Sequence, residues 1–187
     1  MEISIEDQAL MKKYNMSLED LTAVKSYHAQ WADSPYPPVF ITTDALVLCN
    51  GKVLLVKRGK PPFKGMWALP GGHLEIGETL LDCAVRELWE ETSLNVGAQS
   101  LKRDLHSIKV YDEPDRDPRG RFVSHCHFFN VSRVKDMPGL NSKGGDDTQA
   151  AQWFDYHTVT HMKLFLDHNR MVRDIIWPLV NSLNLSL

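Results

Sequence analysis

The apolar positions change rhythm at a proline cluster about one fifth of the way along the chain. Before it, Leu21, Val24, Tyr27, His28 and Trp31 recur three or four residues apart, the spacing that gathers side chains on one face of an α-helix. Ser17-Leu18-Glu19-Asp20 precedes them and has the form of a capping box, whose hydroxyl and carboxylate satisfy amides that a first helical turn leaves unbonded. A helix over roughly residues 17–33 is predicted. Ser34-Pro35-Tyr36-Pro37-Pro38 ends it, because proline has no amide donor and restricts the residue before it. The sequence therefore divides into a helical extension, residues 1–36, and a main domain, residues 37–187.

After the prolines the pattern turns to β. Val39 to Cys49 and Lys52 to Arg58 are rich in apolar and β-branched residues on either side of Asn50-Gly51, a dipeptide suited to the left-handed backbone of a tight hairpin turn. Leu105 to Tyr111 and Arg121 to Val131 are predicted strands flanking a polar loop, Asp112 to Gly120, and Ala151 to Phe154 is a short late one. Met162 to Ser182 closes the chain with a helical pattern. Between strands lies a further helix with two distinct faces. Leu80, Leu81, Ala84, Val85 and Leu88 form an apolar stripe fit to pack on a sheet, while Glu87, Glu90 and Glu91 stand at i, i+3 and i+4 on another side. Such acids repel one another. A solvated acidic face is the ordinary explanation; the alternative is a hard divalent cation, whose binding to clustered carboxylate oxygens removes the repulsion.

Composition narrows the field. The chain has 187 residues, 43% hydrophobic and 24% charged, with a formal net charge of −3. That length suits one catalytic-size core with a small appendage, and no basic run offers the electrostatic footprint of a nucleic-acid binder. The start, MEISIEDQAL, lacks the apolar core of a secretion signal, and no stretch approaches the ~20 apolar residues of a membrane span. Cys49, Cys83 and Cys126 are an odd set without short metal-ligand spacing, unlike a disulfide framework or a zinc site. A cytoplasmic protein with a small anionic ligand is expected, not a membrane protein or a nucleic-acid partner.

The spacing around the acidic helix is more specific than the acids alone. Gly72, five residues, Glu78, seven residues, Arg86-Glu87-Leu88, one residue, Glu90-Glu91, two residues and Leu94 resembles the signature of the Nudix hydrolase family. One position departs: Ser93 stands where the family usually has glycine, at a helix C-terminus where glycine tolerates a left-handed backbone. The resemblance implies a mixed α/β fold, an α/β/α sandwich with a curved mixed sheet. It implies Mg²⁺ or Mn²⁺ as cofactor, Glu87 and Glu91 as principal metal ligands, Glu90 as a further ligand or water activator, and the Gly71 carbonyl as a backbone ligand. Glu78 would pair with Arg86, an arginine fork holding the glycine loop in register with the helix. The implied reaction is hydrolysis of a phosphoanhydride.

Residues outside this run extend the resemblance. Pro37 to Thr42, Lys57-Arg58, Gly65 to Pro70, Arg116 to Arg121, Gly145-Asp146-Asp147 and Trp153-Phe154 look like the ADP-ribose pyrophosphatase half of bifunctional NMN adenylyltransferase/ADP-ribose pyrophosphatases. ADP-ribose, cut to AMP and ribose 5-phosphate, is the substrate this implies; NADH, dinucleoside polyphosphates and nucleoside triphosphates are the alternatives. Arg58, Arg119 and Arg121 are candidates to meet phosphate, against the reading of arginines as solvating groups. Trp67 could stack a base or belong to the core. Asp147, with Asp146, could approach the metals from its loop or simply favour a turn. His125 and His127 alternate on a strand and read as structural. The apolar face of the first predicted helix needs a cover, from a second subunit in a homodimer or from its own domain. A rival of another class is a ligand-sensing regulator, since some Nudix-like domains bind ADP-ribose derivatives to control transcription. Those typically lose box carboxylates and add a DNA-binding domain; here all three carboxylates remain, and only about thirty residues follow Phe154.

Overall fold

The computed structural model describes residues 3–132, 138–139 and 148–182. Two helices, α1 (Ile5–Tyr14) and α2 (Leu18–Ala29), precede the hairpin β1 (Val39–Cys49) and β2 (Lys52–Arg58). Two short strands, β3 (Trp67–Ala68) and β4 (Gly71–His73), lead into α3 (Leu80–Thr92) and α4 (Ala98–Arg103). Strands β5 (Leu105–Tyr111), β6 (Arg121–Asn130) and β7 (Thr148–Asp155) then precede α5 (Tyr156–His161) and α6 (His168–Ser182).

The hairpin has its predicted limits because Asn50 and Gly51 both adopt positive φ, 47° and 76°, the turn geometry that matches strand twist. Strand β1 is the centre of the sheet. It runs antiparallel to β2 and parallel to β6 from Val39↔Arg121 to Leu48↔Asn130, in the order β3-β2-β1-β6-β5 with β4 added to β1 and β7 to β2. Alternation along β1 builds two cores. Ala45, Val47 and Cys49 meet Ala84, Val85 and Leu88 of α3, while Leu46 and Leu48 meet Met171, Val172, Ile175 and Ile176 of α6. The result is the expected α/β/α sandwich on a mixed sheet.

The structure departs from the periodicity in places with physical causes. Helix α1 was not predicted because it buries no residue; the Ser4/Asp7 capping box and a left-handed Asn15 set its ends. The expected closing helix, residues 162–182, begins only at His168, since Leu166 takes φ 44° and the Asn169 side chain accepts from the Leu164 amide at 2.8 Å; a separate short helix, α5, precedes it. Helix α2 stops at Ala29, short of residue 33. Its apolar face is covered within the chain: Leu21 and Val24 are buried against Val56, Phe63, Ala68 and Phe165, and Asp20 accepts from the Phe63 amide. All three cysteines are buried thiols, and no described helix is long and apolar enough to cross a membrane.

Candidate active site

A cavity of about 910 Å³ opens beside α3, within the range of small-molecule sites. Its walls come from separate parts of the chain: Ser26, Tyr27 and Gln30 of α2, Thr43 and Asp44 of β1, Gly71 and Gly72 of β4, and Glu87, Glu90 and Glu91 of α3. Arg58, Lys60, Arg116, Asp117, Arg119 and His168 are also among its lining.

The acidic wall follows from how α3 is started and tied down. Thr79 caps the helix by accepting from the Asp82 amide at 3.2 Å. Arg86 then binds both oxygens of Glu78, at 2.7 and 3.1 Å, and donates to the His73 carbonyl at 3.1 Å. This clamps the loop onto the helix, and the guanidinium holds the Glu78 carboxyl at about 2. A Cβ at Gly72 would displace the Glu87 carboxylate from its place on the cavity. Gly71 is the more tightly constrained, because a Cβ there would collide with the Thr43 carbonyl and the Asp44 backbone, and its amide donates to Glu91 Oε2 at 3.0 Å.

The three box acids differ in surroundings. Burial pushes the Glu91 carboxyl up to about 8; the Gly71 amide opposes this, and the neighbouring Glu87 and Asp44 charges add to it. Burial also raises Glu87, against the Arg86 guanidinium at 2.8 Å. Glu90 is the open member, its side chain 54% exposed and 3.3 Å from Arg86. Among the described residues no three His, Cys, Asp or Glu side chains already stand at metal-holding spacing: Glu91 is bonded to Gly71 and Glu87 to Arg86. The donor set nevertheless fits a hard dication. It is all oxygen, and a buried carboxyl raised to about 8 marks a charge for which the protein itself supplies no adequate counter-ion.

The remaining candidates fall unevenly. Arg58 lines the cavity, donates to the Pro62 carbonyl at 3.0 and 3.2 Å and lies 4.2 Å from the Phe165 ring centre. Arg119 also lines it, gripped by Asp117 and stacked 4.5 Å from Phe122. Two candidates lie outside the cavity lining. Trp67 is packed edge-on to Phe154, 4.7 Å between ring centres, against the α6-side core, because β3 pairs with β2 in a way that sends its ring away from the cavity. Arg121 donates to the Asp112 carbonyl at 2.6 Å, closing the base of its loop outside the cavity lining. Asp146 and Asp147 lie outside the described residues. His127 is buried, with Nδ1 2.9 Å from the His125 carbonyl, a structural position as expected.

Sequence reasoning missed Asp44 and His168. Asp44 accepts from Ser124 and stands 3.6 Å from His168 Nε2, while His168 Nδ1 accepts from the Leu69 amide at 2.9 Å. A lone acid in the apolar run VFITTDALVLC was the available signal for Asp44; His168 had none.

The model of the NUDIX domain matches residues 40–175, which contain both the sheet and the carboxylate helix. The chain belongs to the Nudix family. Among its relatives, the ADP-ribose pyrophosphatase of Methanocaldococcus jannaschii is 39% identical over 134 residues, 72% of this chain and 71% of that one. The ADPR responsive transcriptional repressor NtrR of Acinetobacter baylyi is 25% identical, covering 89% of this chain and 65% of its own. A crystal structure of a bifunctional NMN adenylyltransferase/ADP ribose pyrophosphatase from Francisella tularensis, complexed with AMP and a manganese ion, superposes with TM-score 0.81 at 31% identity. It covers 92% of this Nudix chain, which spans about half, 53%, of that protein.

Proposed function

We propose that this Nudix protein hydrolyses the pyrophosphate bond of ADP-ribose, giving AMP and ribose 5-phosphate, with Mg²⁺ or Mn²⁺ bound at the box carboxylates. One observation carries the reading: Glu87, Glu90 and Glu91 open together on a cavity of about 910 Å³, large enough for a nucleotide with a second sugar. The likeness to pyrophosphatases named for ADP-ribose supports the choice of substrate. Glu87 and Glu91, with the Gly71 carbonyl, would hold the metal. When bound it would neutralise phosphate oxygens and lower the pKa of water. Glu90, as a further metal ligand or as the base, would help to take a proton from the attacking water, whose oxygen would join one phosphorus as the bridging oxygen leaves with the other phosphate. Glu78 and Arg86 position that helix and stay out of the chemistry. Arg58 and Arg119 border the cavity as candidate substrate contacts, and Asp147 is a further candidate acid.

The regulator reading draws on the likeness to NtrR. Retention of all three box acids on the cavity favours catalysis. The test is turnover of purified protein on ADP-ribose, NADH, diadenosine polyphosphates and nucleoside triphosphates at one Mg²⁺ concentration, with a chelated control. ADP-ribose is expected to have the highest kcat/KM, and chelation to stop the reaction reversibly. A nucleoside triphosphate or dinucleoside polyphosphate that wins by tenfold would overturn the substrate, and full activity after chelation would overturn the metal.

A further inference from the structure

Two of the cavity walls differ in charge, and Arg58, Lys60, Glu75, Arg116, Asp117 and Arg119 line the rest. The α3 wall is acidic, whereas the residues that α2 turns toward the cavity, Ala23, Ser26, Tyr27 and Gln30, are all uncharged. A diphosphate needs cations around it and belongs at the carboxylate end with the metal. What lies at the α2 end must then be the uncharged part of the substrate. The surface there is π-rich, with Tyr27 and Phe122 both in the lining. The half-buried Tyr27 ring is 5.5 Å from Phe40 and 6.1 Å from Phe122, and its hydroxyl is 3.2 Å from His73 Nε2. The Arg119 guanidinium lies 5.9 Å from Tyr27. Asp117 takes up the charge of that guanidinium through contacts at 2.6, 3.0 and 3.2 Å, leaving less attraction for phosphate and a fixed planar surface. Aromatic rings and guanidinium planes of this kind stack nucleobases whatever their identity.

Helix α2 is also firm enough to serve as a wall. Leu21 and Val24 are fully buried against the domain, and His28 Nε2 reaches the Pro118 carbonyl at 3.0 Å. Gln30, its C-cap residue, brings a carboxamide to the cavity edge. That group pairs one donor with one acceptor, the pattern that complements N7 and the 6-amino group of adenine.

We infer that the α2 face carrying Ser26, Tyr27 and Gln30 receives the nucleobase of the nucleoside diphosphate substrate, with Tyr27 as part of the stacking surface and Gln30 reading the base edge. The inference rests on the hydrolase reading above. It makes the N-terminal extension part of the substrate site.

The test compares ADP-ribose with its hypoxanthine counterpart, IDP-ribose, which carries an acceptor where adenine has a donor. Wild-type protein, Gln30→Ala and Ser26→Trp are assayed at one Mg²⁺ concentration; both altered positions are exposed, so melting temperatures should match. Wild type should favour the adenine substrate about tenfold in kcat/KM, on the scale of one lost two-point contact. Gln30→Ala should bring the ratio near one by raising KM for ADP-ribose with kcat little changed. Ser26→Trp should raise KM for both substrates by a common factor of about ten or more, by filling the wall. A base preference that survives Gln30→Ala, a wild-type ratio near one, or an unchanged KM in Ser26→Trp overturns the inference. Calorimetric binding of AMP to the same proteins separates the two readings. If wild type cleaves neither substrate the hydrolase reading fails, while weaker AMP binding in both variants still supports the wall and equal binding removes it.

Discussion

Helices α2 and α3 border one cavity and were legible to very different degrees. Helix α3 and the loop before it carry their chemistry in one contiguous segment: Gly72, Glu78, Arg86, Glu87, Glu90 and Glu91 are fixed relative to one another by loop length and helical pitch, so spacing alone predicts which groups converge. Helix α2 shows only a capping box and an apolar stripe, features shared by countless surface helices. Its place on the cavity depends on Leu21 and Val24 docking beside Phe63 and Phe165, residues far away in sequence. Reactive groups within one element can be read from a chain. A wall assembled by packing cannot.

The contrast breaks most directly at Glu91. Glu91→Gln should lower kcat by 10²-fold or more, the scale for removing an electrostatic group from a reacting centre, yet leave the ratio of ADP-ribose to IDP-ribose untouched. Folding should survive, because burial already pushes this carboxyl up to about 8 and a neutral amide oxygen can still accept from the Gly71 amide. Steady-state kinetics with both substrates check this; undiminished turnover at saturating metal would remove Glu91 from the reaction.

The next effect concerns stability. If α2 is a fixed wall, Leu21→Ala should destabilise the whole protein by about 2 kcal/mol, the lower end for emptying a buried leucine site, in a single cooperative transition. A separate appendage would instead lose α2 alone, leaving the denaturant midpoint of the domain where it was. Far-ultraviolet circular dichroism and tryptophan fluorescence, followed together in urea in a Trp31→Phe background, distinguish these results, since the other four tryptophans lie in the domain and α2 then reports chiefly through backbone signal.

Other elements show the same dependence on context. The β1–β2 hairpin was legible to the residue because Asn50-Gly51 dictates its own turn, and β5 because its polar flanks are local. The short strands β3 and β4 have no periodicity of their own and exist through pairing with β2 and β1. Trp67 stayed between a stacking and a core reading in the sequence, because position beside the glycine loop says nothing of which face of β3 it occupies. Asp44 and His168 meet at 3.6 Å from positions 124 residues apart, and only the fold joins them.

The smallest expected effect sharpens the comparison at the two helix ends. Ser93, the C-cap of α3, sits at φ 46°, ψ 40°, a left-handed conformation that costs a residue with a Cβ roughly 1 kcal/mol relative to glycine. Gln30, the C-cap of α2, sits at φ −65°, ψ −21°, where glycine offers no relief. Ser93→Gly also enlarges the conformational freedom of the unfolded chain, which offsets part of the gain. The net expectation is a stabilisation of about 0.5 kcal/mol, a rise of roughly 1–2 °C in Tm for a domain of this size. Because the Ser93 amide keeps its bond to the Trp89 carbonyl at 2.7 Å and no box carboxylate moves, kcat and KM should stay at wild-type values. Gln30→Gly is the control and should lower Tm. If Ser93→Gly lowers Tm as well, the serine side chain stabilises the end of α3 by more than its backbone strain costs, and the departure from glycine at that position is a gain in stability.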